Sequence, residues 1–309
     1  MRISVLVPIF DRRDCGLRAL ESALAQDAAP GRFEVVAVIA RRHQVPPQDS
    51  PRLEALLAQA HQVVWLDLDA GEIQNEIWYY QEGVRSCVGE FLFLAEGHTE
   101  ILPGALRKIL EYLDANPACE VLWGHRGERA RTSLGRLLIR NAARHNERGR
   151  VGGFFSFGGT SVIRRDLWEG LGGIDPRYLR FNEVVLRHRI LRAGKEVHRV
   201  LTTFCLHHND ISIPQLAAIS SAMGRGKRAA YGDAAGREGR DIPHLRHPAY
   251  RWFMGKGAAA LGAPLFWVAA YVFLFLAVCG HRLRLPFAFR TFILGLGCAD
   301  LWGYCRAGR

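Results

Sequence analysis

No two of the seven cysteines stand as a CxxC pair, and they are scattered from Cys15 to Cys305. That spacing excludes a cysteine-built structural zinc site and a disulfide scaffold, and it suits a reducing compartment. The first apolar run is short, ends at Asp11-Arg12-Arg13 and has no small-residue cleavage site behind it. A signal peptide is therefore not expected, and any catalytic part is expected in the cytoplasm. Acidic residues are in deficit: 30 Asp and Glu against 41 Lys and Arg give a net charge of +11 over 309 residues. Such an imbalance points to an anionic partner such as phosphate groups or acidic lipid. Nucleic acid is not expected, because the arginine-dense stretch 124–150 lacks the interleaved aromatics of a base-stacking surface. Its arginines read either as a solvated helix face or as a patch meeting phosphate or membrane.

Charge is missing altogether from residues 258–280, a length that can cross a bilayer, which needs about 20 apolar residues. Residues 285–304 are apolar again but interrupted by Arg290 and Asp300, the pattern of a second span or an interfacial helix. Ahead of both, residues 211–256 carry eight cations against three anions. A basic stretch before an apolar span places the preceding chain on the cytoplasmic side. Three regions follow: 1–210, a basic linker at 211–256, and an apolar tail at 257–309.

Within 1–210, apolar β-branched runs at 3–10, 33–40, 63–68 and 91–95 alternate with helical patterns at 15–24, 53–60 and 73–87. Strands alternating with helices predict an α/β protein whose sheet is mainly parallel and covered on both faces. Further strands are expected at 120–123, 161–164 and 197–206, and helices at 105–116 and after the turn signals Gly172-Gly173 and Asp175-Pro176.

The densest chemistry lies at residues 91–103, FLFLAEGHTEILP. A buried strand gives way at once to Glu96, Gly97 and His98, at the sheet edge where open α/β sheets bind ligands. Glu-x-His offers one oxygen and one nitrogen donor, a pair suited to manganese, zinc or iron. The strand at 197–206 likewise ends in two adjacent histidines, His207 and His208.

Taken in order, ISVLVPIFDR, ALESALAQ, EGVRSCVGEFLFL, EILPGAL and LGGIDPRYLRFNEVVLRHRILRAGKEV resemble the glycosyltransferases of family 2, over about residues 1–210. The resemblance implies the GT-A fold: a Rossmann-like mixed sheet with helices on both faces. It also implies a hexosyltransferase-like enzyme that moves a sugar from a nucleotide-sugar donor, with inversion at the anomeric carbon. In that family an Asp-x-Asp motif at the end of the fourth strand holds a divalent metal, manganese or magnesium, on the donor's diphosphate. Glu96 and His98 occupy the matching positions here, with His207 or His208 as a later ligand. The family's base, an acid after the GG-x-D turn, corresponds to Glu183. Asp11 is retained where the first-strand loop meets the nucleotide.

The chain also departs from the pattern. Ile39-Ala40-Arg41-Arg42 replaces the aspartates that read the base, and Tyr79-Tyr80-Gln81 replaces an Ala-Arg-Asn whose arginine lies near the diphosphate. Asp67 and Asp69 are candidates to substitute in donor binding. The tail PFAFRTFILGLGCADLWGY is similar to the ending of bacterial members that glycosylate lipid-linked or cell-envelope polysaccharide acceptors, which implies an inner-membrane enzyme beside anionic headgroups. A catalytically inactive, membrane-bound binding or scaffold subunit of the same fold is the alternative reading.

Overall fold

The computed structural model describes residues 1–9, 15–41, 49–68, 76–147, 160–232, 259–285 and 287–306. The chain divides into two compact units. The first comprises residues 1–128, 156–174 and 190–208. The second comprises 129–155, 175–189 and 209–309.

The first unit is built on strands β1 (Ile3–Ile9), β2 (Phe33–Ala40), β3 (Gln62–Leu66), β4 (Phe91–Leu94), β5 (Thr99–Ile101), β6 (Val121–Arg129), β7 (Ser161–Arg164) and β8 (Val197–His208). They form one sheet in the order β3-β2-β1-β4-β7-β6-β8-β5. β3, β2, β1 and β4 run parallel, with Val5 opposite both Val35 and Phe93. β7 is antiparallel to β4 and to β6, and β5 is antiparallel to β8. The sheet is therefore mixed, an α/β architecture with its parallel half read directly from the alternation of strands and helices.

Every residue of β1, β2 and β4 is buried, which is why these strands are apolar at all but two positions, Ser4 and Glu34, rather than alternating. One sheet face, carrying Ile3, Val5, Val7 and Ile9, packs against helix α1 (Cys15–Leu24) and helix α4 (Ala105–Ala115). Leu106, Ile109, Leu110 and Leu113 recur at the three- and four-residue spacing that gives α4 its buried stripe. Helix α2 (Ser50–Leu57) adds Leu53 and Leu56 to the same core. On the opposite face lies helix α3 (Glu76–Gly83), whose Gly83 leaves no room for a Cβ between Val38 and Leu6.

Two elements were not legible as separate segments: the short strand β5 and helix α6 (Arg165–Gly170) directly after β7. β6 is also longer than the expected 120–123 and continues through Arg126 and Glu128 to Arg129. Its glycines, Gly124 and Gly127, disguise the strand because they lower β propensity.

In the second unit, helices α5 (Ser133–Glu147), α8 (Ile213–Gly232), α9 (Ala259–Arg282) and α10 (Ala288–Arg306) share one core. The helix α7 (Asn182–Arg192) begins there, behind a 3-10 segment at Pro176–Phe181. Tyr178, Phe181 and Val185 pack with Ala230 of α8. The approach is so close that a Cβ on Gly226 would stand 2.0 Å from the Tyr178 carbonyl oxygen. Among the described residues, α9 alone is long and apolar enough to cross a membrane.

A buried carboxylate fixes the approach to β4. Glu34 on β2 is 2% exposed, accepts the Ser4 hydroxyl of β1, and takes the Val88 and Gly89 backbone N–H groups at 2.7 and 3.3 Å. Removing such an acceptor leaves several buried donors unsatisfied. Glu34→Ala is expected to destabilise the protein by about 2 kcal/mol, measured as a lowered midpoint in urea unfolding.

Candidate functional site

The site grows from the end of β4. The Ala95 N–H still donates to the Leu6 carbonyl at 3.0 Å, and the chain then leaves the sheet. The Glu96 carbonyl accepts from both the Thr99 N–H, at 3.0 Å, and the Thr99 hydroxyl, at 2.8 Å. This turn folds Glu96-Gly97-His98-Thr99 back into β5. There Thr99 pairs with His207 of β8, and the His208 N–H donates to the His98 carbonyl at 3.2 Å. Two histidines 109 residues apart are thereby made neighbours.

His98 Nε2 and His207 Nε2 are 2.7 Å apart, and each lies 3.5 Å from Glu96 Oε2. The donor atoms of the three residues all fall within 4.8 Å of one another. Glu96 and His207 are buried, at 6% and 9% exposure. Two imidazole lone pairs at this distance repel, so the pair needs a shared proton or a cation between them. Glu128 supplies the orienting contact, with its Oε2 3.1 Å from His207 Nδ1. A carboxylate there favours the Nδ1–H tautomer and turns the Nε2 lone pair inward.

Donors held at about 2.1 Å from one ion and at right angles to each other stand about 3 Å apart, close to the spacings found. Two nitrogens and one carboxylate oxygen also suit a divalent transition ion. The residues fit a divalent cation. Cys205, two residues before His207 on β8, is not one of the three grouped donors; burial, reinforced by the Glu96 charge, pushes its thiol well above the ordinary range.

Arg126 lies beside the cluster on β6, two residues from Glu128 and so on the same side of the strand. Its Nε is 2.8 Å from Glu128 Oε1 and its Nη1 is 3.9 Å from Glu96 Oε2. Burial works against the guanidinium charge, but the carboxylates of Glu96 and Glu128 outweigh it and hold the group more firmly protonated than usual. In the sequence Arg126 stands only as one member of an arginine-rich stretch, and nothing local marks Glu128. The available signal was period-2 continuation of the strand past Trp123, through Gly124, Arg126 and Glu128.

His208 faces away from His207, as strand alternation requires, and its Nε2 lies 3.3 Å from Glu100 Oε2 and 3.4 Å from Arg18 Nη1. It stands outside the cluster. Glu183 is half-buried in the first turn of α7, in the second unit. Asp11 and Asp69 lie outside the described residues. Asp67 is exposed and pairs with Arg41 at 3.3 Å. Tyr80, standing where an arginine was expected, donates its hydroxyl to the Ala95 carbonyl at 2.9 Å and contacts the Glu76 carboxylate.

No protein-family model matches the chain, and no curated protein sequence matches it either. Solved structures do. The mannosyltransferase PcManGT from Pyrobaculum calidifontis, in complex with GDP-Man and Mn2+, is similar with a TM-score of 0.60 at 16% identity, over 97% of this chain and 85% of that one. S. aureus TarS 1-349 is similar with a TM-score of 0.55 at 13% identity, over 100% of this chain and 92% of that one. The same TarS fragment in complex with UDP gives 0.54 at 15% identity. The mixed sheet with its helices thus has a glycosyltransferase fold.

If Glu128 orients His207, Glu128→Gln should weaken Mn2+ binding by about 10- to 100-fold, whereas His208→Ala should leave it unchanged. Calorimetric titration of both variants with Mn2+ reads the difference.

Proposed function

We propose that this chain is a metal-assisted, inverting glycosyltransferase of the family-2, GT-A type, moving a sugar from a nucleotide-sugar donor to a lipid-linked or cell-envelope polysaccharide acceptor. The observation that carries the reading is the convergence of Glu96, His98 and His207 at the carboxyl edge of β4, in a fold shared with a mannosyltransferase solved with GDP-Man and Mn2+. Structures of TarS with UDP and with UDP-GlcNAc add a second neighbour that binds a nucleotide sugar.

Glu96, His98 and His207 hold the divalent ion, and the imidazole pair favours manganese over magnesium. When bound, the ion supplies positive charge against the leaving nucleoside diphosphate. Arg126 sets its positive charge beside Glu96 and, through Glu128, fixes the tautomer of His207. Asp11 and Asp69 contribute to donor binding. Glu183 acts as general base: it takes the proton from the acceptor hydroxyl as that oxygen bonds to the anomeric carbon, while the bond from that carbon to the diphosphate breaks. The product is inverted because attack comes from the face opposite the leaving group.

The apolar helix α9 supports placement at the cytoplasmic face of the inner membrane, with anionic headgroups as partners. There a lipid-borne acceptor is present at high effective concentration without new contacts in the pocket.

Thermal shift against a panel of nucleotide sugars, with and without Mn2+, tests the donor site. One donor should raise the melting midpoint only with metal, and a combined Glu96→Ala and His98→Ala variant should lose that shift. Glu183→Gln should keep the shift and lose about 10²- to 10⁴-fold in turnover. A folded protein that shifts with no donor would instead be a binding or scaffold subunit of the same fold.

A further inference from the structure

Helices α9 and α10 form an antiparallel hairpin. Gly280 lies against Ala288, Gly295 against Leu274, and the Trp267 and Trp302 rings stand 6.3 Å apart. Each helix has two unlike sides. On α9, Ala270, Leu274 and Ala277 are buried in one core with Leu134 and Leu137 of α5 and Leu216 and Ala217 of α8. The reverse side carries Leu265, Val268, Val272 and Phe275 at 48–72% exposure, spaced three and four residues apart as a single stripe. Ile293 and Leu294 of α10 are also exposed. A contiguous apolar strip of this kind marks an interaction surface.

At 24 residues, α9 is about 36 Å long, so length alone permits a crossing. What it packs against does not. The inner side of the hairpin is lined by cation-bearing helices at both ends. Lys227 Nζ of α8 is 2.6 Å from Asp300 Oδ2 of α10 towards the open end, and the Arg140 guanidinium of α5 sits 4.8 Å over the Phe289 ring near the turn. A crossing would drag Lys227, Asp300 and Arg140 into hydrocarbon, where ionised side chains are costly. It would also carry the turn, with exposed Arg282 and Arg284, to the far side of the membrane, against the positive-inside rule.

From these contacts we infer that the α9–α10 hairpin lies flat in one leaflet, its apolar stripe dipped into an anionic bilayer and its turn kept on the same side as the rest of the chain. The occupant of the stripe is lipid. Arg282, Arg284 and Arg290, all exposed, border the apolar surface at headgroup level, as amphipathic interfacial helices require. This rests on the membrane placement proposed above and sharpens it from an apolar tail to a one-leaflet plate.

The full chain is added to preformed, sealed vesicles of phosphatidylcholine with phosphatidylglycerol, and floated on a density gradient. A membrane-impermeant maleimide then probes Leu283→Cys, with the wild-type protein as background for the native cysteines. The expected result is flotation that weakens on pure phosphatidylcholine, with Leu283→Cys labelled as fully in sealed vesicles as after detergent. Phe275→Glu should reduce the floated fraction by about tenfold or more. Flotation with labelling only after detergent would mean a crossing hairpin, overturning the inference while leaving the membrane reading intact. A chain that does not float, or that forms a detergent-free soluble dimer through this face, would overturn both, and the donor-binding reading would stand or fall on its own titrations.

Discussion

Everything at the candidate site depends on one short antiparallel pairing, that of β5 with β8. Three residues of β5, held by the ladder from Thr99 to Ile101, put His207 beside His98. The Glu96–Thr99 turn then brings Glu96 under both imidazoles. Because side chains alternate along a strand, a one-residue slip in this register would exchange His207 for His208, which faces Glu100 and Arg18. The hydrogen bond from the His208 N–H to the His98 carbonyl, together with the buried turn, fixes the choice.

The electrostatics follow from burial. Glu96 and Glu128 are two carboxylates with little access to water, and Arg126 is the cation set between them. Without it, two buried negative charges would stand uncompensated, which is costly. Each carboxylate in turn faces an imidazole nitrogen: Glu96 the inward Nε2 atoms, Glu128 the His207 Nδ1. Burial also pushes the thiol of Cys205, two residues from His207 on the same strand, above its ordinary range, with the Glu96 charge adding to the effect.

The second unit meets a different constraint. Its apolar helices are neither wholly buried nor wholly exposed, since a core with α5 and α8 takes one side of α9 and leaves the other open. Sequence apolarity averages over the two sides, so it registers as a candidate span. Contacts such as Lys227 with Asp300 separate the sides.

The parallel half of the sheet was legible from sequence, because strands buried on both faces must be largely apolar, and β1, β2 and β4 are, save for the Ser4–Glu34 pair. Glu96 and His98 were legible as candidates too, since a polar pair straight after a buried strand marks the sheet's ligand-binding edge. Tertiary structure decided what local pattern could not carry. The choice between His207 and His208 is a matter of register, set by a partner strand more than a hundred residues away. The roles of Arg126 and Glu128 required β6 to run on through two glycines, which propensity disfavours and only pairing within the sheet sustains. The sequence by itself thus determined which segments are buried and where polar chemistry emerges from them. Which of those polar groups meet was left to long-range strand pairing, because hydrophobic periodicity records how a residue faces the core and not which residue it faces there.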